Sequence, residues 1–265
     1  MLKHVAKYIL RPDYRKLTKE NQELDRISQL PRFTPSTANL LNHKIFFSDS
    51  ASFVFMYREI FRKEIYNFKT SSAQPLIIDA GANIGMGVLY FKKKFPQSKV
   101  IAFEPDQKVA SILRKNVDAF ELNNVEVIEK GLWKDESFLE FQSDGADTGR
   151  VADKDNNSNT ITISTTKLSK YLDQPVDFLK IDIEGAEIVV LQECQEKLQN
   201  VKNIFVEYHS LVNAPQKLEK LLQILAKAGF RYYIDNTSFL TEQPLIHRRE
   251  EFGMDLQLNI FGLKK

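Results

Sequence analysis

The stretch PLIIDAGANIGMGVLYF runs from Pro75 to Phe91. A short apolar run ends in Asp79, a turn carries Gly81 and Gly85, and a second apolar run follows at helical spacing. Strand, glycine turn and helix in that order make the opening unit of a sheet that binds nucleotide-like ligands. The rest of the chain repeats the rhythm. KVIAFE is followed by PDQKVASILRKNVDAF, VDFLKIDI by EGAEIVVLQECQEKL, and VKNIFVEYH by PQKLEKLLQILAKAG. Strand–helix alternation predicts an α/β fold with a mostly parallel sheet covered on both faces. The strands read as continuous Val, Ile, Leu and Phe runs, as strands buried on both sides do. FRYYID and LQLNIFGL follow one another without a helical pattern between them, which predicts an antiparallel hairpin at one edge.

The totals narrow the function classes. The 265 residues allow one large domain with an appendage. The division read from the pattern is an appendage of helix and hairpin over 1–70 and a main domain over 71–265. A net charge of +2 gives no whole-molecule attraction to nucleic acid. The single cysteine, Cys194, excludes an internal disulfide and a cysteine-built zinc site, and its helical setting predicts a packed thiol. There is no apolar run of bilayer length and no signal-peptide pattern at MLKHVAKYIL, so a cytoplasmic protein is expected. Residues 1–20 place Leu2, Val5, Ala6, Ile9 and Leu10 on one helical face, with Lys3, Lys7, Arg11 and Arg15 on the other. That face packs on the protein's own body or makes peripheral contact with a membrane. Residues 30–50 predict a linker and hairpin, and residues 52–68 a helix. No feature of the sequence sets the oligomeric state.

The turn itself excludes the common dinucleotides. Counted from Gly81, a G-x-G-x-x-G fingerprint would need glycines where Asn83 and Met86 stand. No Gly-Lys-Ser/Thr follows, so this is not a phosphate-cradling loop. Asp79 would repel a pyrophosphate but favours a ligand with a sulfonium or ammonium charge. Glu104, ending the second strand of the repeat, is placed to accept hydrogen bonds from a ribose diol.

DAGANIG, AFEPD, DFLKIDIEGAE and FVEYHS together resemble the FkbM-type methyltransferases, over roughly residues 50–263. The resemblance implies a Rossmann-like class I methyltransferase fold, with seven strands of which one is antiparallel. It implies S-adenosylmethionine as donor and transfer to an oxygen, commonly a sugar hydroxyl in a glycan, glycolipid or natural product. By motif, Asp79, Gly81, Asn83 and Gly85 line the methionine end, and Glu104 takes the ribose. Asn124 and Trp133 flank the adenine.

Methyl transfer to an alcohol needs an aligned acceptor and a group to take its proton. Asp182 in LKIDIEGAE, with Glu207 and His209 in FVEYHS, are the candidate catalytic residues at the fourth and fifth strand tips. His209 serves as general base, or Asp182 and Glu207 hold Mg2+ and acidify a bound hydroxyl. Glu187 reads as a first-turn helix acid, and Lys180 as an ion-pair partner. The rival readings are a dehydrogenase or epimerase using NAD, and a non-catalytic module that binds S-adenosylmethionine.

Overall fold

The computed structural model describes residues 12–142, 150–151, 160–237, 243, 245–247, 250 and 253–264. The apolar stripe of residues 2–10, most of the polar insert after Gln142, and Arg248 and Arg249 lie outside the described residues.

A helix, α1 (Pro12–Ser28), leads through a linker to the hairpin β1 (Ser36–Leu40) and β2 (His43–Phe47). The next helix, α2 (Ser50–Tyr57), begins where Asp49 accepts from the Ser52 N–H, an N-cap. It passes into a π-helical turn over Arg58–Arg62. The helix expected over 52–68 ends there, because the Lys63 N–H bonds to the Arg58 carbonyl and Glu64 turns left-handed at φ 53°.

The alternating part gives β3 (Leu76–Ala80), α3 (Met86–Lys94), β4 (Lys99–Phe103), α4 (Gln107–Ala119) and β5 (Val125–Ile128). A small second sheet follows, built from β6 (Gly131–Leu132), β7 (Phe138–Gln142), β8 (Arg150–Val151) and β9 (Thr160–Thr166). The main sheet resumes with β10 (Val176–Ile181), α5 (Glu187–Cys194), β11 (Val201–Leu211), α6 (Leu218–Lys227), β12 (Arg231–Asn236) and β13 (Met254–Leu263). Its seven strands lie in the order β12-β13-β11-β10-β3-β4-β5. Only β13 runs against its neighbours. The expected hairpin is therefore present, with β13 inserted between β11 and β12, so that β12 forms the edge.

Alternation along each strand sends neighbouring residues into two separate cores. Ile77, Phe178 and Phe205 join one cluster with Leu24 and Ile27 of α1, Phe47 of the hairpin and Val88 of α3. Ile78, Leu179 and Val206 join the other with Val190, Leu191 and Cys194 of α5 and Leu221 of α6. The first core is aromatic: Tyr66 meets Phe205 at 4.9 Å and Phe68 stacks on Phe178 at 4.8 Å. No helix among the described residues is long and apolar enough to cross a membrane.

Candidate active site

The chain crosses from strand to helix at the carboxyl edge of the sheet, where β3, β4, β10 and β11 all end. The turn after β3 is held by backbone. The Gly81 and Ala82 N–H groups both bond to the Phe103 carbonyl. Gly81 is left-handed at φ 84°, and a Cβ there would stand 1.8 Å from the Asp182 carbonyl oxygen. Only glycine allows β3 and β10 to deliver their loops this close together. Asn83 is also left-handed, at φ 50°, and its side chain accepts from the Ile84 N–H at 2.6 Å. Gly85, φ 90°, opens α3 with no side-chain cap. The sequence does not advertise Asn116, which is fully buried on α4. Its amide bonds to both polar groups of Phe46 and to the Ile84 carbonyl, tying the N-terminal hairpin to this turn.

Glu104, one residue past β4, accepts from the Asn83 N–H and the Asp106 N–H, both at 3.0 Å. Burial raises its pKa to about 7, against the two N–H bonds that favour the anion. Two bonds leave part of the carboxylate's accepting capacity for a diol.

Asp79 is fully buried beneath the turn. Lys180, its neighbour in register on β10, brings Nζ within 3.1 Å of its carboxylate, 3.3 Å of Asp182 and 2.6 Å of the Gly81 carbonyl. The Asp79 oxygens have no directed hydrogen bond, so the contact with Lys180 is an ion pair. Desolvation opposes the charge on Lys180, but Asp79 and Asp182 outweigh it and hold its pKa well above the usual lysine range. Burial raises the Asp79 pKa against the pull of Lys180, and its side chain is 1% exposed, so it offers no contact surface and braces the turn through Lys180.

The second half of the site comes from β10, α5, β11 and β13. His209 donates or accepts at Nδ1 with Glu187, 3.0 Å away, and its Nε2 lies 3.6 Å from Glu184. Glu187, the first residue of α5, also accepts the Ile183 and Gly185 N–H groups, so it is both a helix-start acid and the clamp on His209. Glu207 contacts the Gln257 amide from β13. One ligating atom each from Asp182, Glu207 and His209 fall within 4.8 Å of one another.

Charge separates the roles. Around Lys180 and His209 stand Asp79, Asp182, Glu184, Glu187 and Glu207, five acids to two cations. Burial, then the surrounding acids, pushes Glu207 up to about 7. Burial pushes Glu184 up to about 8, against His209. Desolvation disfavours the imidazolium, but Glu184 and Glu187 overcome it and raise the His209 pKa well above its ordinary value. These acids favour the protonated ring, whose side chain is 1% exposed. Asp182 and Glu207 are half-buried rather than sealed off.

The structure separates two residues expected near the adenine. Asn124 is exposed at the amino end of β5, where its carbonyl accepts from Val100. That is the edge opposite Glu104, five strand residues or about 16 Å away at 3.3 Å per residue, so it does not join the group. Trp133 is half-buried just beyond β6 and bonds to the Thr166 carbonyl. Its neighbour Gly131 lies against Pro105, on the side of the sheet edge that carries Glu104. Cys194 is buried and its thiol is raised by burial, consistent with packing. Sequence reasoning missed Gln257 and Asn259. Asn259, directly opposite Glu207, is buried with an unpartnered Oδ1. Polar residues at every second position of an otherwise apolar final strand were the available signal.

These features define a class I methyltransferase: a seven-stranded sheet with one antiparallel strand, a glycine turn after its first strand and a carboxylate after its second. The sequence profile of the methyltransferase FkbM domain matches residues 79–232, more than half of the chain. The chain belongs to the FkbM methyltransferase family. Methyltransferase sdnD of Sordaria araneosa is 29% identical over 228 residues, covering 71% of this chain and 86% of that protein. The 2-O-methyltransferase NoeI of Sinorhizobium fredii is 22% identical over 174 residues, covering 57% and 71%. A solved structure of methyltransferase FkbM from Methylobacillus flagellatus KT is 16% identical at TM-score 0.47, over 73% of this chain and 45% of that one.

Proposed function

We propose that this methyltransferase uses S-adenosylmethionine to methylate a hydroxyl oxygen, most simply a sugar hydroxyl of a glycan, glycolipid or natural product, with Glu207 as the proton acceptor. The observation that carries the reading is Glu207 itself: a half-buried carboxyl at a strand tip, raised to about 7 and standing beside Asp182. A base of that strength suits proton removal near neutral pH. A donor of this kind fits the turn. Glu104 offers a carboxylate to a ribose diol, and the surplus of acids around Lys180 favours a sulfonium charge. When bound, the donor supplies an electrophilic methyl group on positively charged sulfur. As the acceptor oxygen took that methyl group and the bonding pair was left on sulfur, its hydroxyl proton would pass to the Glu207 carboxylate. Asp182 orients the hydroxyl, and the His209 imidazolium, fixed by Glu187, holds Glu184 and Glu207 in place. The 2-O-methyltransferase relative supports oxygen as the acceptor.

The test is Glu207→Gln, assayed against methyl glycosides and, as controls, primary amines. A fall in kcat of about 10²–10⁴ with unchanged S-adenosylhomocysteine affinity supports the reading. Transfer only to amines, or full activity of the variant, sinks it.

A second reading rests on the three converging atoms of Asp182, Glu207 and His209. With Nδ1 engaged by Glu187, Nε2 is the ring atom left to ligate, which it could do only after giving up its proton and its contacts with Glu184 and Gln257. Two carboxylates and one imidazole suit Mn2+ better than Mg2+, which prefers an all-oxygen set. Titration calorimetry with each ion separates the two, and activity unchanged by EDTA with no heat of binding removes this reading.

A further inference from the structure

Strand β12 is the outer edge of the main sheet, and all six of its residues are exposed. Tyr232, Tyr233 and Ile234 are 39%, 60% and 45% exposed. An exposed edge with three consecutive large apolar residues is an open template for another strand. Proteins usually blunt such an edge with lysines of one sign or with proline. RYYIDN has neither. It carries Arg231 at one end and Asp235 at the other, and neither has an ion-pair partner among the described residues.

We propose that β12 pairs antiparallel with β12 of a second copy of this chain, about a two-fold axis through Tyr233. The register follows from the backbone. The Thr237 N–H bonds to the Gln257 carbonyl, which makes 237 and 257 a hydrogen-bonded pair. Stepping by two along the ladder, Asp235, Tyr233 and Arg231 also turn their polar backbone groups inward to β13. The N–H and C=O groups of Tyr232 and Ile234 therefore point outward. Centred on Tyr233, an antiparallel pairing sets Tyr232 opposite Ile234 of the second copy, and Ile234 opposite its Tyr232. Those outward groups then exchange the inter-copy hydrogen bonds.

The side chains agree with this register. Arg231 falls opposite Asp235 of the second copy, and Asp235 opposite its Arg231, giving two opposite-charge pairs on one face. Tyr232 meets Ile234 twice on the other face, an aromatic–β-branched pairing favoured across strands. The two Tyr233 residues meet on the axis as a non-hydrogen-bonded pair, with Cα atoms about 4.5 Å apart. A two-fold interface requires such self-complementarity, and the strand has it at all five positions. The result is one continuous fourteen-stranded sheet, twice seven, a size that occurs in large α/β enzymes.

The 265-residue chain, examined by light scattering, should have twice its 30.7 kDa mass. Arg231→Asp sets Asp against Asp twice and should weaken dimerisation at least tenfold. Arg231→Asp combined with Asp235→Arg restores the two pairs and should restore the dimer. Tyr233→Cys should form a covalent dimer under copper–phenanthroline oxidation, since about 4.5 Å between Cα atoms falls within disulfide geometry. Ile234→Cys should cross-link poorly, because its partner is Tyr232. Circular dichroism confirms that each variant is folded. A wild-type mass of 30.7 kDa at all concentrations overturns the proposal. So does a dimer that ignores the charge exchange or fails to cross-link at position 233.

Discussion

Replacing Glu104 by Gln should stabilise the free protein at alkaline pH while weakening its grip on the donor. The carboxyl of Glu104 rises from 4.5 to about 7 because it is buried. Its folded pKa is above its unfolded one, so its stabilising contribution is complete below pH 4.5 and is lost as pH rises through 7. At 1.36 kcal/mol per tenfold change, that loss amounts to about 3 kcal/mol. Glutamine carries no charge and no such loss. It can accept only one of the two N–H bonds from Asn83 and Asp106, a defect of about 1 kcal/mol at every pH. The variant should therefore be about 1 kcal/mol less stable than wild type near pH 3.5, about equal to it near pH 5 and about 2 kcal/mol more stable at pH 8. Urea unfolding across that range measures the crossing directly.

The same substitution removes the charged acceptor for the ribose diol. Two charge-assisted bonds reduced to neutral ones should cost about 2–4 kcal/mol, or roughly 30- to 1000-fold in affinity for S-adenosylhomocysteine by calorimetry. A variant parallel to wild type from pH 5 to 8 would show that Glu104 is not strained by burial. Unchanged affinity would show that it does not touch the donor.

Two further substitutions test the frame around the turn. Gly81→Ala should destabilise by about 3 kcal/mol or more, because the added carbon falls 1.8 Å from the Asp182 carbonyl; Gly229→Ala, at φ 87° with nothing within 4 Å, should cost only about 1 kcal/mol. Equal urea midpoints for the two would refute the close-approach argument. Lys180→Met should cost about 3–5 kcal/mol by stranding Asp79, and adding Asp79→Asn should recover part of it; additive losses would mean that the two are not coupled.

What could be read in the sequence follows from how far along the chain each cause lies. The strand–helix alternation, the glycine turn and the family motifs are local patterns, so the fold and the place of the candidate site in it were legible. Residues at the tips of β10 and β11 had to meet, because a parallel sheet gathers its carboxyl ends, and Asp182, Glu207 and His209 do converge. Asn124 misled because it is close in sequence to that edge but precedes β5 rather than following it. The roles within the site were less legible, because they depend on groups brought together from distant segments. His209 looks like a base when read alone. Glu187 and Glu184, which favour its protonated form, reach it from the start of α5 and the loop before it, more than twenty positions earlier in the chain. The same cross-strand arithmetic placed Gln257 and Asn259 beside Glu207 and His209. A strand tip fixes where a carboxylate stands. Its neighbours in register, which only the folded sheet supplies, fix whether it is charged, and that decides which of these groups takes the proton.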